Sequence, residues 1–126
     1  MVDFQLTEEQ MMIRDMAREF SEEEVLPHAE EWDREGTYPR DAITKAHELG
    51  LLNVTIPEKY GGAGMSTVDE MVICEELSRG DPGFGTASYH TMLASFPILT
   101  GGTEEQKAEY LGRVTEGKLA AYCVTE

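Results

Sequence analysis

Apolar residues recur at helical intervals along most of the chain. Ile13, Met16, Ala17 and Phe20 share one face of the first segment, the spacing of an amphipathic helix. Thr7 and Gln10 precede them as a capping box: the Thr7 hydroxyl can accept the Gln10 N–H, and the Gln10 side chain can accept the Thr7 N–H. Leu6 and Met11 have the spacing of a hydrophobic staple. Pro27 lacks an N–H and costs about 3 kcal/mol inside a helix. A break or kink is therefore expected over residues 23–26, with a new turn running from Pro27 toward Trp32. A second stripe, Ile43, Ala46 and Leu49, runs between Pro39, which suits a first helical turn, and Gly50, which suits the position past a helix end.

Residues 51–64 have mixed, extended character and end in glycines. Ser66 is a cap for the next helix, whose apolar residues (Val68, Met71, Val72, Ile73, Leu77) lie nearly all round it and predict a deeply packed helix. The "GDPGFG" stretch reads as a turn. Residues 86–102 are apolar and rich in small residues, and Pro97 predicts a break near 95–96. Thr103 and Gln106 repeat the capping box, followed by Tyr110, Leu111 and Val114. At the end, "LAAYCVT" is a short apolar run with aromatic and β-branched residues, a strand signal. The expected fold class is all-α: an orthogonal or up-down bundle of five to six helices, ending in a single strand.

Composition narrows the function. At 126 residues the chain suits one domain. Twenty-five acids against ten bases give a net charge of −15, which argues against non-specific binding to nucleic acid or to an anionic membrane. The acidity reads as a solvated surface, as adaptation to high salt, or as a docking face for a basic partner. Cys74 and Cys123 make neither a disulfide framework nor a metal site, and are expected as buried thiols in a reducing compartment. No basic-then-apolar leader and no 18-residue apolar span occurs in the sequence. The glycines of "YGGAG" lack the Lys-Ser/Thr of a phosphate loop and read as a turn. His28, His47 and His90 have no metal-ligand spacing, the seven methionines read as core filler, and Glu22–24 and Glu75–76 read as solvated helix faces. No catalytic constellation is visible in the residue pattern alone.

The order of the pieces is more informative than any one of them. "LTEEQ", "EEWDREGTYPRD", "ELGLLNVTIPEKYGGAGMS", "ICEELSRGDPGFGTA", "GTEEQKAEYL" and "AAYCVTE" follow one another along the chain. Together they resemble the N-terminal region of the acyl-CoA dehydrogenases, particularly the medium- and short-chain straight-chain members, over essentially the whole sequence. The resemblance implies a helical domain over 1–117 and the start of a middle β-domain over 118–126, with the chain cut at that junction. It implies an FAD-dependent oxidation of a fatty acyl-CoA to the trans-2-enoyl-CoA, in which a carboxylate takes the α-proton and the β-hydrogen leaves as hydride to the flavin. The family's base lies in a C-terminal bundle, so no catalytic residue is assigned here, and none is assigned to a metal.

By the same resemblance, Tyr122, Cys123, Val124 and Thr125 contact the flavin, and Gly85, Thr86, Tyr89, His90 and Leu93 line the acyl tail. Tyr89 and His90 are bulky together, which implies a shorter, branched or polar-tailed acyl group. The resemblance also implies electron-transfer flavoprotein as acceptor, a dimer or tetramer, and a cytoplasmic enzyme (mitochondrial matrix in a eukaryote). The fragment alone is expected to be colourless and inactive. A flavin oxidase or monooxygenase of the same fold, such as an acyl-CoA oxidase or nitroalkane oxidase, and a non-catalytic helical module that binds a partner through its acidic surface, stand as alternatives.

Overall fold

A computed structural model describes residues 4–125. Six α-helices follow in order: α1 (Glu8–Phe20), α2 (Ala29–Glu35), α3 (Arg40–Glu48), α4 (Thr67–Gly80), α5 (Pro82–Gly101) and α6 (Glu104–Thr115). The Thr7 capping box opens α1, with Gln10 N–H to Thr7 Oγ1 and Thr7 N–H to Gln10 Oε1 both 3.1 Å. Ser66 with Asp69, and Thr103 with Gln106, open α4 and α6 in the same way. The Gln10 amide also donates to Asp69 Oδ1 at 2.8 Å, so the first turns of α1 and α4 lie side by side. Arg18 meets Glu76 and Glu22 meets Arg79 further along, so the two helices run parallel in register.

Pro27 acts as expected. The chain widens into one π-helical turn over Ser21–Val25 and then tightens into a 3₁₀ turn over Leu26–His28, which accommodates the missing N–H and the bulk of the ring. Trp32 of α2 stacks on Phe84 with ring centroids 6.0 Å apart. Gly50 sits just past α3 with φ +72°, as its position suggests. Pro39 is the cap of α3 rather than a residue of its first turn. The glycines after Tyr60 form a turn folded back on Ile56: Gly64 N–H bonds Ile56 O at 2.9 Å, and a Cβ on Gly62 would lie 2.0 Å from that same carbonyl oxygen.

Several expectations need correcting. The "GDPGFG" turn is one residue long. Asp81 ends α4 and caps α5, accepting the Phe84 N–H at 2.6 Å, while Pro82 takes the first helical position where its lost N–H costs nothing. Pro97 does not break α5, which continues to Gly101. Leu93 and Pro97 lie on an exposed face, where the Leu93 carbonyl left without its i+4 donor can turn to water. Leu49, at the end of α3, is 49% exposed and not part of a buried stripe. Val68 (56%) and Met71 (44%) are exposed as well, so α4 is packed on one side and not all round. Cys123 is exposed and Cys74 half-buried, and neither is the buried thiol expected. Glu76 is buried at 5% exposure and is no solvated face. Residues 118–125 form no strand. A ladder needs a second strand to exchange hydrogen bonds with, and none lies among the described residues; Ala120 N–H bonds Thr91 Oγ1 at 3.3 Å instead.

The core has two parts. One gathers Ala17, Phe20, Val25, Ile43, Ala46, Leu77 and Phe84 from α1, the π turn, α3, α4 and the start of α5. The other gathers Ile56, Tyr60, Met92, Leu111 and Val114 from the 54–60 loop, α5 and α6. Helix α5 belongs to both, and its position is therefore fixed at two points along its length.

Candidate functional site

From Pro82 to Gly101, α5 carries no Asp, Glu, Lys or Arg, within a chain of net charge −15. Its buried face presents Phe84, Ser88, Thr91, Met92 and Ser95 to the core. The opposite face, Thr86, His90, Leu93 and Pro97, is exposed, and these residues are spaced to form one stripe. Phe96, 38% exposed, flanks it. The Thr86 hydroxyl is turned back onto Pro82 O at 3.0 Å. The result is an uncharged, largely apolar ledge about three turns long.

The five residues assigned to the acyl wall do not all share that ledge. Thr86, His90 and Leu93 do. Gly85 is buried where α5 crosses α4, and a Cβ there would lie 2.0 Å from Ser78 Oγ and 2.9 Å from Ser78 Cβ. Gly85 thus sets how closely the two helices approach. Tyr89 sits at the ledge's margin, half-buried against the Ile56–Tyr60–Leu111 cluster. Burial pushes its phenol up, and the nearby Glu70 and Cys74 push it the same way.

Glu70 carries no signal in the sequence beyond being an acid on a helix, yet it is 5% exposed. Its Oε1 accepts from Thr55 Oγ1 at 3.4 Å, and its Oε2 has no partner among the described residues. Burial pushes the carboxyl above its ordinary range, and the Thr55 hydroxyl only partly offsets this. With Asn53, Ser88 and Tyr89 it lines a cavity of about 20 Å³ between α4 and α5.

Tyr122, Cys123, Val124 and Thr125 lie together on the segment that follows α6, all exposed. Their peptide N–H and C=O groups are not tied into a helix or a ladder. Backbone donors and acceptors outside regular structure, with a Thr hydroxyl at the end, suit a ring system with both kinds of group along one edge. A separate groove of about 410 Å³ between α1 and α3 exposes Met16 and Leu49 among Glu19, Glu23, Glu24, Glu48 and Lys45. No helix among the described residues is long and apolar enough to cross a membrane.

Comparison with known proteins places this arrangement. The profile of the acyl-CoA dehydrogenase N-terminal domain matches residues 7–118, and the chain belongs to that family. A probable medium-chain specific acyl-CoA dehydrogenase, mitochondrial, of Caenorhabditis briggsae is 44% identical over 126 residues, 99% of this chain and 31% of the relative. The Bacillus anthracis acyl-CoA dehydrogenase complexed with FAD superposes with a TM-score of 0.87 at 37% identity, covering 100% of this chain and 22% of that one. A chain in the structure of the electron transferring flavoprotein of Acidaminococcus fermentans superposes with a TM-score of 0.83 at 44% identity, covering 92% of this chain and 31% of that one. The chain thus spans about a third or less of the length of these relatives.

Proposed function

We propose that this chain is the N-terminal helical part of an FAD-dependent acyl-CoA dehydrogenase, and that the ledge of α5 is one wall of its acyl site. The single observation that carries the reading is the ledge itself. In a chain this acidic, a solvated helix face of such length would be expected to carry charge. Thr86, His90, Leu93 and Phe96 instead offer apolar surface with few hydrogen-bonding groups, which suits a hydrocarbon tail covered from its far side. The relatives' names support the substrate class, and the FAD complex of the Bacillus anthracis relative supports the cofactor.

Residues 1–117 are the helical domain, and 118–126 lead into a β-domain. The backbone of Tyr122–Thr125 and the Thr125 hydroxyl would hold FAD by hydrogen bonds to the polar edge of its ring. FAD, when bound, supplies the acceptor for the β-hydrogen of the acyl group. This chain's part is to bind and orient: the α5 ledge holds the tail, excludes water from it, and limits its length through the bulk of His90 and Tyr89. The proton-abstracting carboxylate is not among these residues. Electron-transfer flavoprotein is the proposed acceptor, the enzyme assembles as a dimer or tetramer, and it works in the cytoplasm, or in the mitochondrial matrix of a eukaryote.

The test is anaerobic mixing of the complete flavoprotein with a panel of saturated acyl-CoAs. Rapid bleaching of the flavin absorbance by straight-chain acyl-CoAs of short to medium length is expected. A flavoprotein that none of them bleaches would overturn the reading.

A further inference from the structure

Of the ten Lys and Arg side chains, eight have a carboxylate within ion-pairing reach. The two without one among the described residues are Arg40 and Lys118. Beside twenty-five acids an unpaired base is the exception, yet these two, far apart in sequence, line one pocket. It lies between α3, α5 and the segment after α6, has a volume of about 130 Å³, and includes His47 and Thr91 in its wall. A single water needs roughly 10–15 Å³, so the space admits a small polyatomic group.

The elements hold both bases at its mouth. Lys118 follows the turn that closes α6: Gly117 N–H bonds Val114 O at 3.0 Å and Lys118 N–H bonds Arg113 O at 3.1 Å, the pattern of a glycine-ended helix. Gly117 has φ +86° and packs on the edge of His47, where a Cβ would lie 3.0 Å from Cδ2 and 3.2 Å from Nε2. Two residues past Lys118, Ala120 N–H bonds Thr91 Oγ1 at 3.3 Å. Lys118 is thus anchored on one side against α3 and on the other against α5. Arg40 is the first residue of α3. Its guanidinium lies over the Tyr38 ring, 5.8 Å from the centroid, a contact that leaves its N–H groups free to bond. The Thr91 hydroxyl, 3% exposed, accepts from Ala120 and still has its own hydrogen to give. Asn53, whose Oδ1 is buried without a partner, also lines the pocket and can turn its NH2 the same way. Glu116 is the carboxylate in the wall; it is exposed and pairs with neither base among the described residues.

We propose that this pocket binds a phosphate group, free or at the end of a small molecule, with Arg40 and Lys118 on its charge and the Thr91 hydroxyl beneath it. A guanidinium fork beside an ammonium matches a tetrahedral anion in both charge and geometry. A nucleic acid or an anionic membrane carries many charges over a wide area and would meet the repulsion of a chain of net charge −15, whereas a single small anion reaches only the two bases. The site is independent of the acyl-wall reading, because it lies against the face of α5 that carries Ser88 and Thr91, away from the Thr86–His90–Leu93 stripe.

The test is equilibrium dialysis of the complete flavoprotein against radiolabelled inorganic phosphate, as wild type, Arg40→Gln, Lys118→Gln, Glu116→Gln and, for control, Arg113→Gln, whose partner is Glu109. A crystal of the wild type grown without phosphate or sulfate and then soaked in phosphate accompanies it. Arg40→Gln and Lys118→Gln are each expected to weaken one bound phosphate about tenfold or more, the loss of a hydrogen bond to a charged group. Glu116→Gln should tighten it, and Arg113→Gln should match wild type. The crystal should show tetrahedral density within hydrogen-bonding distance of both basic heads. Isotherms of Arg40→Gln and Lys118→Gln that superimpose on wild type overturn the site. So does a crystal in which a carboxylate of the same polypeptide sits on both bases, since the pocket would then hold an internal ion pair. Should a variant fail to fold, the soaked wild-type crystal decides.

Discussion

Arg18 of α1 clamps Glu76 of α4 with two hydrogen bonds, Nη2 to Oε1 at 2.6 Å and Nε to Oε2 at 3.0 Å. The carboxylate is 7% exposed, and Arg79 reaches it at 3.2 Å from its own helix. Two-point contact between a guanidinium and a carboxylate fixes the rotation of one helix against the other. Glu76→Gln keeps the shape and removes the charge. It is expected to cost about 1.5–3 kcal/mol, the value of hydrogen bonds to a charged group, read as a fall in the urea midpoint with an unchanged slope. Arg18→Met leaves a buried carboxylate with only Arg79 and should destabilise as well. A Glu76→Gln midpoint equal to wild type would show that the clamp adds nothing.

That clamp also marks how far the sequence can be read. The three capping boxes and the Gly50 turn are local, so Thr7 with Gln10 announces its own geometry. Arg18 and Glu76 are 58 positions apart, and nothing near Glu76 distinguishes it from a solvated acid. Asp81 shows another limit. "DPG" signals a turn, but the same Asp and Pro also suit a helix start, and only the packing of α4 on α5 decides between them. In the site, the spacing of Thr86, His90 and Leu93 is visible in the sequence because helical period alone puts them on one stripe. The separation of Tyr89 from that stripe, and the burial of Glu70, depend on which neighbours the bundle brings up, which no periodicity encodes.

Glu70 and Glu76 lie six residues apart on α4 and should shift stability with pH in opposite senses. The Arg18 hydrogen bonds hold Glu76 below its ordinary value of 4.5, against the opposing effect of burial. Its contribution is present above that value and is lost as the pH falls below it. Burial holds Glu70 above 4.5, so its contribution is complete below 4.5 and is lost as the pH rises through the folded value. Glu70→Gln should therefore be more stable than wild type near neutrality, with the gain fading in acid, while Glu76→Gln should be less stable near neutrality and converge on wild type in acid. Denaturation midpoints across that range check both. A Glu70→Gln protein less stable than wild type near neutrality would contradict the assignment of an unpaired buried carboxyl.

Gly85 is the contact point of α4 and α5. Gly85→Ala would place its methyl within 3.0 Å of Ser78 Oγ, Cβ and Cα, and overpacking of this kind costs about 1–3 kcal/mol. Ser78→Gly in the same chain should recover most of the loss, since it removes two of the three atoms. Thermal unfolding of the single and double variants checks this. No recovery in the double variant would place the strain elsewhere.

The central claim is that the exposed stripe of α5 touches the acyl tail, and His90 is its most direct probe because it is exposed and its imidazole makes no hydrogen bond among the described residues. The decisive measurement is kcat/KM for a straight-chain acyl-CoA series on the complete flavoprotein, as wild type and as His90→Ala. Wild type is expected to rise with chain length and then fall at short to medium length. The variant's maximum is expected to lie at longer chains, with about fourfold gained for each methylene newly accommodated, and turnover retained. Two superimposable length profiles would contradict the claim and remove α5's exposed face from the acyl site.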